Sequence, residues 1–208
     1  MGRYEGAVCR HCRREGVKLF LKGEKCFTHC TLERRPTPPG MHTQVRRRKV
    51  SDYGIQLRAK QRARRIYFLL ESQFRLYFDR AAKMSGVTGL NLLRLLETRL
   101  ENVIYRVGFA SSRRDARQLV SHRHVMVNGR IVNVPSYAVR IGDIIAINQS
   151  SKDIDRIKNA IDAGEQRTVV PWLSVDKDNM TAKVTAQPGR DDMDQTIQEQ
   201  LIVEFYSR

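Results

Sequence analysis

The sequence predicts an α+β protein in which a cysteine-rich knuckle and a helical domain precede a small antiparallel-sheet module. Three observations carry that prediction. All four cysteines fall early, as Cys9-x2-Cys12 and Cys26-x3-Cys30. From Ser51 to Ile104 apolar side chains recur at three- and four-residue spacing, the period of helices with one buried face. Val125 and Val127 then alternate and run into Asn128-Gly129, a pair suited to a two-residue hairpin with positive φ at both positions. The organisation expected is a knuckle and basic extended arm over residues 1–50, a helical domain over 51–95 and the module over 96–150. Residues 151–208 should add a helix and strands that complete the sheet and pack back on the helical domain.

In the arm, two close cysteine pairs separated by thirteen residues suit a closed tetrahedral thiolate site. Zinc satisfies four thiolates at once and would staple a segment too polar to fold alone. Disulfides are disfavoured, because no secretory signal accompanies the cysteines and cytosolic thiols stay reduced. Free thiols and an iron–sulfur cluster remain alternatives. The expected cofactor is one structural Zn2+ on Cys9, Cys12, Cys26 and Cys30, with His11 and His29 outside a shell already complete. Beyond it, Arg34-Arg35-Pro36-Thr37-Pro38-Pro39-Gly40 cannot be a helix, since proline fixes φ and removes amide donors. Arg46-Arg47-Arg48-Lys49 is a block of like charge, solvated by itself and able to order on a polyanion by neutralising phosphates.

Ser51-Asp52 opens a helix through Ile55, Leu57 and Ala59 into Gln61–Arg65. Cations surround its narrow apolar stripe, so it is expected to lie on RNA rather than inside a core. Glu71–Met84 reads as a second helix burying Phe74, Tyr77, Phe78 and Ala81. Thr88 caps a third, whose buried side carries Leu92, Leu93, Leu96, Leu100, Val103 and Ile104.

The segment Ser111–Arg130 is the most informative. Ser111 or Ser112 is a good helix N-cap, and Ala116, Leu119 and Val120 form one apolar stripe. Arg113, Arg114 and Arg117 fall outside that stripe and form an expected cationic face beside His122 and His124. The planar guanidinium fork suits a pair of phosphate oxygens. Arg130, Ile131 and Val132 make the return strand, and Gly142-Asp143 turns the chain into a strand over Ile144–Ile147. Further on, residues 151–163 read as a surface helix, and Val169–Val175, Thr181–Thr185 and Leu201–Phe205 as strands, with Trp172 a core anchor.

The chain of 208 residues carries a formal charge of +16, so a polyanionic partner is the first expectation. Residues 1–65 hold 18 Lys/Arg against 5 Asp/Glu, whereas residues 141–208 hold 8 against 12. That asymmetry argues for a polyanion along most of the chain and a different neighbour for its end. Without an apolar run of membrane-spanning length or a signal core, a cytoplasmic protein with no membrane partner is expected.

Several stretches resemble the bacterial small ribosomal subunit protein family S-four. Ser-Arg at a helix start, Val-x-Val-Asn-Gly and Gly142-Asp143 follow the RNA-binding module named after it. Met1-Gly2-Arg3-Tyr4, Cys9-Arg10-x-Cys12-Arg13-Arg14-Glu15-Gly16, Pro39-Gly40-x-His42 and Ser51-Asp52-Tyr53-Gly54 occur in order, as in zinc-bearing members. The resemblance implies a structural protein that binds the five-prime domain of small-subunit (16S) rRNA, nucleates assembly and borders the mRNA entry channel. It implies packing against the fifth small-subunit protein with an effect on decoding accuracy, the third small-subunit protein as a further neighbour, and no homo-oligomer. The RNA-binding residues it implies are Arg3, Arg13, Arg14, Arg46, Arg47, Arg48 and Lys49 in the arm, then Arg58, Arg62, Arg64 and Arg65 on the first long helix. In the module they are Ser111, Arg113, Arg114, Arg117, His122, Arg123, His124, Asn128 and Arg130. The chain departs from the family pattern in places: its second cysteine pair is one residue tighter, and Phe68, Thr43 and Arg123 stand where glycine is common. A glycine at the helix end supplies a left-handed cap without strain, so the cap at Arg123 must be strained or built differently.

A pseudouridine synthase using the same module is the alternative. It needs a catalytic aspartate in a separate large domain; here Arg99-Leu100-Glu101 offers Glu, and too few residues follow the module. There is no GxxxxGK[ST] loop and no nucleophile–base set, so no enzyme is expected. A DNA-binding regulator is disfavoured, since no helix-turn-helix pairing or dimer seam is apparent.

Overall fold

The computed structural model describes residues 4–40, 49–164 and 170–208. The expected tract Arg46–Arg48 and Arg3 lie outside the described residues. The chain divides into two units, Met1–Leu92 with Asp194–Arg208, and Leu93–Met193. We call them the helical unit and the sheet unit.

In the helical unit, three short helices, α1 (Cys9–Glu15), α2 (Lys25–Thr28) and α3 (Thr31–Arg34), carry the cysteines. Ser51 then caps α4 (Asp52–Ile66), its side chain accepting from Gly54 N–H. The sequence places α4 on RNA, but one side of it is core. Gln56, Ala59, Lys60, Ala63 and Ile66 are buried, and α10 (Glu199–Tyr206) packs along it. The narrow apolar stripe suffices because Gln56 and Lys60 bring their own partners. Gln56 donates to Glu204 at 2.9 Å, and Lys60 donates to Glu71 at 2.6 Å while lying over the Phe205 ring. α5 (Glu71–Ala82) buries Phe74, Tyr77, Phe78 and Ala81, as its spacing predicts.

Residues Leu201–Phe205, read above as a strand, are helical in α10. The run Leu201-Ile202-Val203 is short and β-branched, which mimics a strand. Packing overrides it, for Ile202 is fully buried and the Tyr206 hydroxyl donates to Glu71 at 2.8 Å. That helix belongs to the helical unit.

The division falls within α6 (Thr88–Glu97). The apolar run then breaks at Thr98–Arg99, where Arg99 is extended and bridges Ala138, and restarts as α7 (Leu100–Val107). α8 (Arg113–Ser121) follows, then β1 (Val125–Val127), β2 (Arg130–Ile131), β3 (Ile144–Ile147), α9 (Asp155–Gly164), β4 (Leu173–Asp176) and β5 (Thr181–Val184). The strands form one antiparallel sheet in the order β2-β1-β3-β5-β4. Val125, Val127, Ile145, Ile147, Ala182 and Val184 face a core shared with Val103, Ile104, Leu119, Val120 and Trp172, which places Trp172 where the sequence expects it. Asn128 and Gly129 both adopt positive φ, 50° and 76°. Asn128 also ties the hairpin to the turn at 142–143: its amide donates to Asp143 at 2.9 Å, and its oxygen accepts from Ile144 N–H at 2.9 Å.

Candidate nucleic-acid interface

The arm begins with the knuckle. Cys9, Cys12, Cys26 and Cys30 form no disulfide and line one cavity of about 20 Å3. Burial pushes the Cys12 thiol up, a backbone N–H of Leu19 opposes this, and the nearby Cys26, Cys9 and Cys30 add to the rise. Lys22 N–H donates to Cys26 Sγ at 3.3 Å. Such N–H···S bonds favour thiolate sulfur, the ligand form of cysteine. The donor set therefore suits a thiophilic metal, although among the described residues no group of three or more His, Cys, Asp or Glu stands in metal-binding geometry. His11 is held down to about 4 by burial and by Arg65, Arg64 and Arg10, in that order, and is uncharged at neutral pH.

Around the knuckle, Arg14 is exposed and Lys49 beyond it likewise. Arg13 instead holds the proline segment, donating to Thr37 O at 2.8 Å and Pro38 O at 3.3 Å. On α4, Arg58 and Arg65 converge on Glu15, whose side chain is buried. Arg62 donates to Thr196 O at 3.1 Å, and Arg64 lies 3.7 Å from Glu71. Burial alone would raise Glu71, but donation from Lys60 and Tyr206 holds its carboxyl below the usual range.

In the module, α8 is capped by Ser112, whose hydroxyl accepts from Asp115 N–H at 3.2 Å. Asp115 reaches back to accept from Ser111 N–H and its hydroxyl, at 3.0 and 2.9 Å, and pairs with Arg156. The predicted cationic face separates here. Arg113 is buried at 6% exposure, donates to Asn102 at 3.0 Å and covers the Tyr105 ring. Arg117 donates to Glu101 at 3.0 Å, and the same carboxylate pairs with buried Arg99. Charge counts along the sequence could not show that Glu101 turns two arginines inward. Arg114 points out and is exposed, as are His122, Arg123, Asn128 and Arg130. His124 is half-buried with Nδ1 2.8 Å from Ser151 Oγ; burial first, then His122 and Arg156, lowers its pKa.

The helix end at Arg123 is a six-to-one turn with its companion bond. His124 N–H donates to Leu119 O at 3.1 Å and Arg123 N–H to Val120 O at 3.0 Å. Arg123 sits at φ 65°, the left-handed conformation that glycine takes freely. Phe68, at φ 53°, repeats the motif after α4, with Leu69 N–H donating to Arg64 O and Phe68 N–H to Arg65 O. These two glycine replacements thus keep the glycine backbone, and the third, Thr43, lies outside the described residues.

Residues 3–97 match the family described as Ribosomal protein S4/S9 N-terminal domain, and residues 98–145 the S4 domain. The Small ribosomal subunit protein uS4 of Pelotomaculum thermopropionicum is 56% identical over the whole of both chains. Those of Syntrophomonas wolfei and Thermus thermophilus are 54% and 55% identical over the same extent. With both family segments present in order and relatives matched end to end, the chain belongs to the S4 family of small-subunit ribosomal proteins.

Proposed function

We propose that this protein is a structural component of the bacterial small ribosomal subunit and a direct binder of 16S rRNA. The end-to-end match to proteins named for that subunit carries the reading, and no catalytic role attaches to it. Folded RNA is recognised by shape and phosphate contacts. The exposed cations Arg14 and Lys49 in the arm and Arg114, Arg123 and Arg130 in the module suit phosphate. Buried Arg113 and half-buried Arg117 fix the helix that presents Arg114. The five-prime domain is the assigned site, early binding there nucleates assembly, and the working location is the cytoplasmic ribosome.

Further assignments follow the family resemblance. The tract Arg46–Lys49 is assigned to the mRNA entry channel. The acidic C-terminal part, 8 Lys/Arg against 12 Asp/Glu over residues 141–208, suits the fifth small-subunit protein and an influence on decoding accuracy. The third small-subunit protein is a further neighbour. One structural zinc on Cys9, Cys12, Cys26 and Cys30 is supported by the shared cavity and the N–H···S bond to Cys26; it would hold the arm's short helices together.

The test is selectivity. Full-length protein should bind in-vitro-transcribed 16S five-prime-domain RNA well ahead of an unrelated structured RNA or heparin of matched length. Its log affinity should fall linearly with log salt. Equal affinity for all three polyanions would reject the reading.

A further inference from the structure

Where α1 meets the C-terminal end of α4, the helical unit holds a cavity of about 230 Å3 lined by Tyr4, His11, Arg64, Arg65, Phe68 and the chain at Leu69–Leu70. Three of its seven lining residues, Tyr4, His11 and Phe68, carry rings. Tyr4 and His11 lie with ring centroids 4.3 Å apart and Tyr4 is 39% exposed, so this wall is open to solvent on one side. Phe68 supplies a second ring from a left-handed backbone at φ 53°. A glycine would close the same helix end without strain, so a conformational cost accompanies a ring placed at the cavity. Non-glycine residues held this way cluster at ligand-binding positions. Arg64 and Arg65 add guanidinium groups to the lining, each also facing a carboxylate, Glu71 at 3.7 Å and Glu15.

The cavity is smaller than the roughly 300–1,000 Å3 that drug-sized ligands occupy. It suits one flat heterocycle rather than a whole nucleotide. Aromatic walls stack on any base, and guanidinium groups suit the base's acceptor edge or the adjoining phosphate. We propose that this cavity takes a single unstacked nucleobase of the bound RNA, held between the Tyr4–His11 wall and Phe68 with Arg64 and Arg65 beside it. The proposal rests on the RNA-binding reading above and adds a specific contact to it. The charge of the surrounding chain agrees, with 18 Lys/Arg against 5 Asp/Glu over residues 1–65.

The experiment uses the full-length protein and in-vitro-transcribed 16S five-prime-domain RNA. Phe68→Leu and Tyr4→Leu should each weaken binding roughly tenfold, as loss of one base–aromatic stack implies. The log–log salt slope should stay unchanged, because no phosphate contact is lost. Phe68→Tyr should bind as the parent does. Phe68→Gly separates backbone from ring: it should melt no lower than Phe68→Leu yet bind as weakly. Dimethyl sulfate and carbodiimide probing, which together report on all four bases, should reveal one nucleotide, protected by the parent protein, that becomes reactive with both leucine variants. The proposal is overturned if Phe68→Gly and Tyr4→Leu bind like the parent, or if no single nucleotide changes reactivity. Tyr4 stands on the exposed arm, so its variant keeps the test decisive should changes at Phe68 disturb folding. Loss of RNA selectivity by the parent would sink the broader reading, whereas a selective parent with indifferent variants sinks this one alone.

Discussion

In the N-terminal part of the helical unit, Arg10, Arg14, Lys22, Lys25, Arg34 and Arg35 stand exposed around short helices whose core is little more than Val8, Leu19, Leu21 and the buried cysteines. In the sheet unit, Arg99, Arg113 and Arg117 turn inward onto Glu101 and Asn102, beneath a sheet that buries Val125, Ile145, Trp172 and Ala182. One region leaves its cations in solvent and has little apolar area to hold itself together. The other turns several arginines onto internal partners and leaves Arg114, Arg123 and Arg130 exposed. Positive charge in a sequence therefore does not say which cations face outward.

The largest effect that would sharpen this contrast is metal removal. Structural zinc in small knuckles contributes on the order of 10 kcal/mol or more of apparent binding free energy. Chelation, or Cys12→Ser with Cys26→Ser, should abolish amide-exchange protection across residues 4–40 while leaving protection of β1, β3 and β5 intact. The purified protein should carry about one zinc per chain. Metal analysis finding none, or protection lost equally in both units, would break the division between a metal-held arm and a core-held sheet.

Next comes the ion network. Glu101→Ala leaves Arg99 and Arg117 without their shared carboxylate, and removing one partner of a buried pair costs about 3–5 kcal/mol. Glu33→Ala, which removes the exposed partner of Lys18, should change stability by less than about 1 kcal/mol. Urea unfolding of both variants measures the difference; similar costs would mean that the sheet unit does not depend on its inward arginines.

The same distinction applies within one helix. Arg113→Ala strips the cation from Tyr105 and leaves the fully buried Asn102 oxygen without its donor, at a cost of about 1–3 kcal/mol. Arg114→Ala should change stability by less than about 0.5 kcal/mol. It should instead lower the log–log salt slope of RNA binding by about one, the mark of a lost phosphate contact. A slope change from Arg113 and none from Arg114 would reverse the assignment of inward and outward residues.

What the sequence disclosed follows how far each signal reaches. Asn128-Gly129 names its hairpin because the turn's φ angles are decided by those two residues, and Phe74, Tyr77, Phe78 and Ala81 declare their helix face by spacing alone. Leu201–Phe205 misled because a short run with four apolar residues in five fits either period; their helix is selected by Ile202 against α4 and by Tyr206 bonding to Glu71, 135 residues away. Lys60 looked like a surface cation for the same reason, its carboxylate and ring partners lying on α5 and α10. Arg113 and Arg117 were legible as cations but not as ones turned inward, since Asn102 and Glu101 lie a helix earlier in the chain. The candidate surface was thus readable in outline, and its division into exposed and internal arginines was not.

The smallest effect bears on why an exposed cation keeps a strained backbone. Arg123 closes α8 at φ 65°, a conformation that costs a non-glycine residue about 1–2 kcal/mol. Glycine would remove that cost but add roughly 0.5–1 kcal/mol of unfolded-state entropy. Arg123→Gly should therefore stabilise the sheet unit by about 0.5 kcal/mol, since the exposed side chain has little packing to lose. Were conformation all that mattered at this position, the variant would be the better protein in every assay. With Arg123 on phosphate, the gain in urea midpoint should come with weaker RNA binding and a salt slope lower by about one. A variant more stable and equal in RNA affinity would remove Arg123 from the interface; one less stable would show that the side chain supports its own helix end.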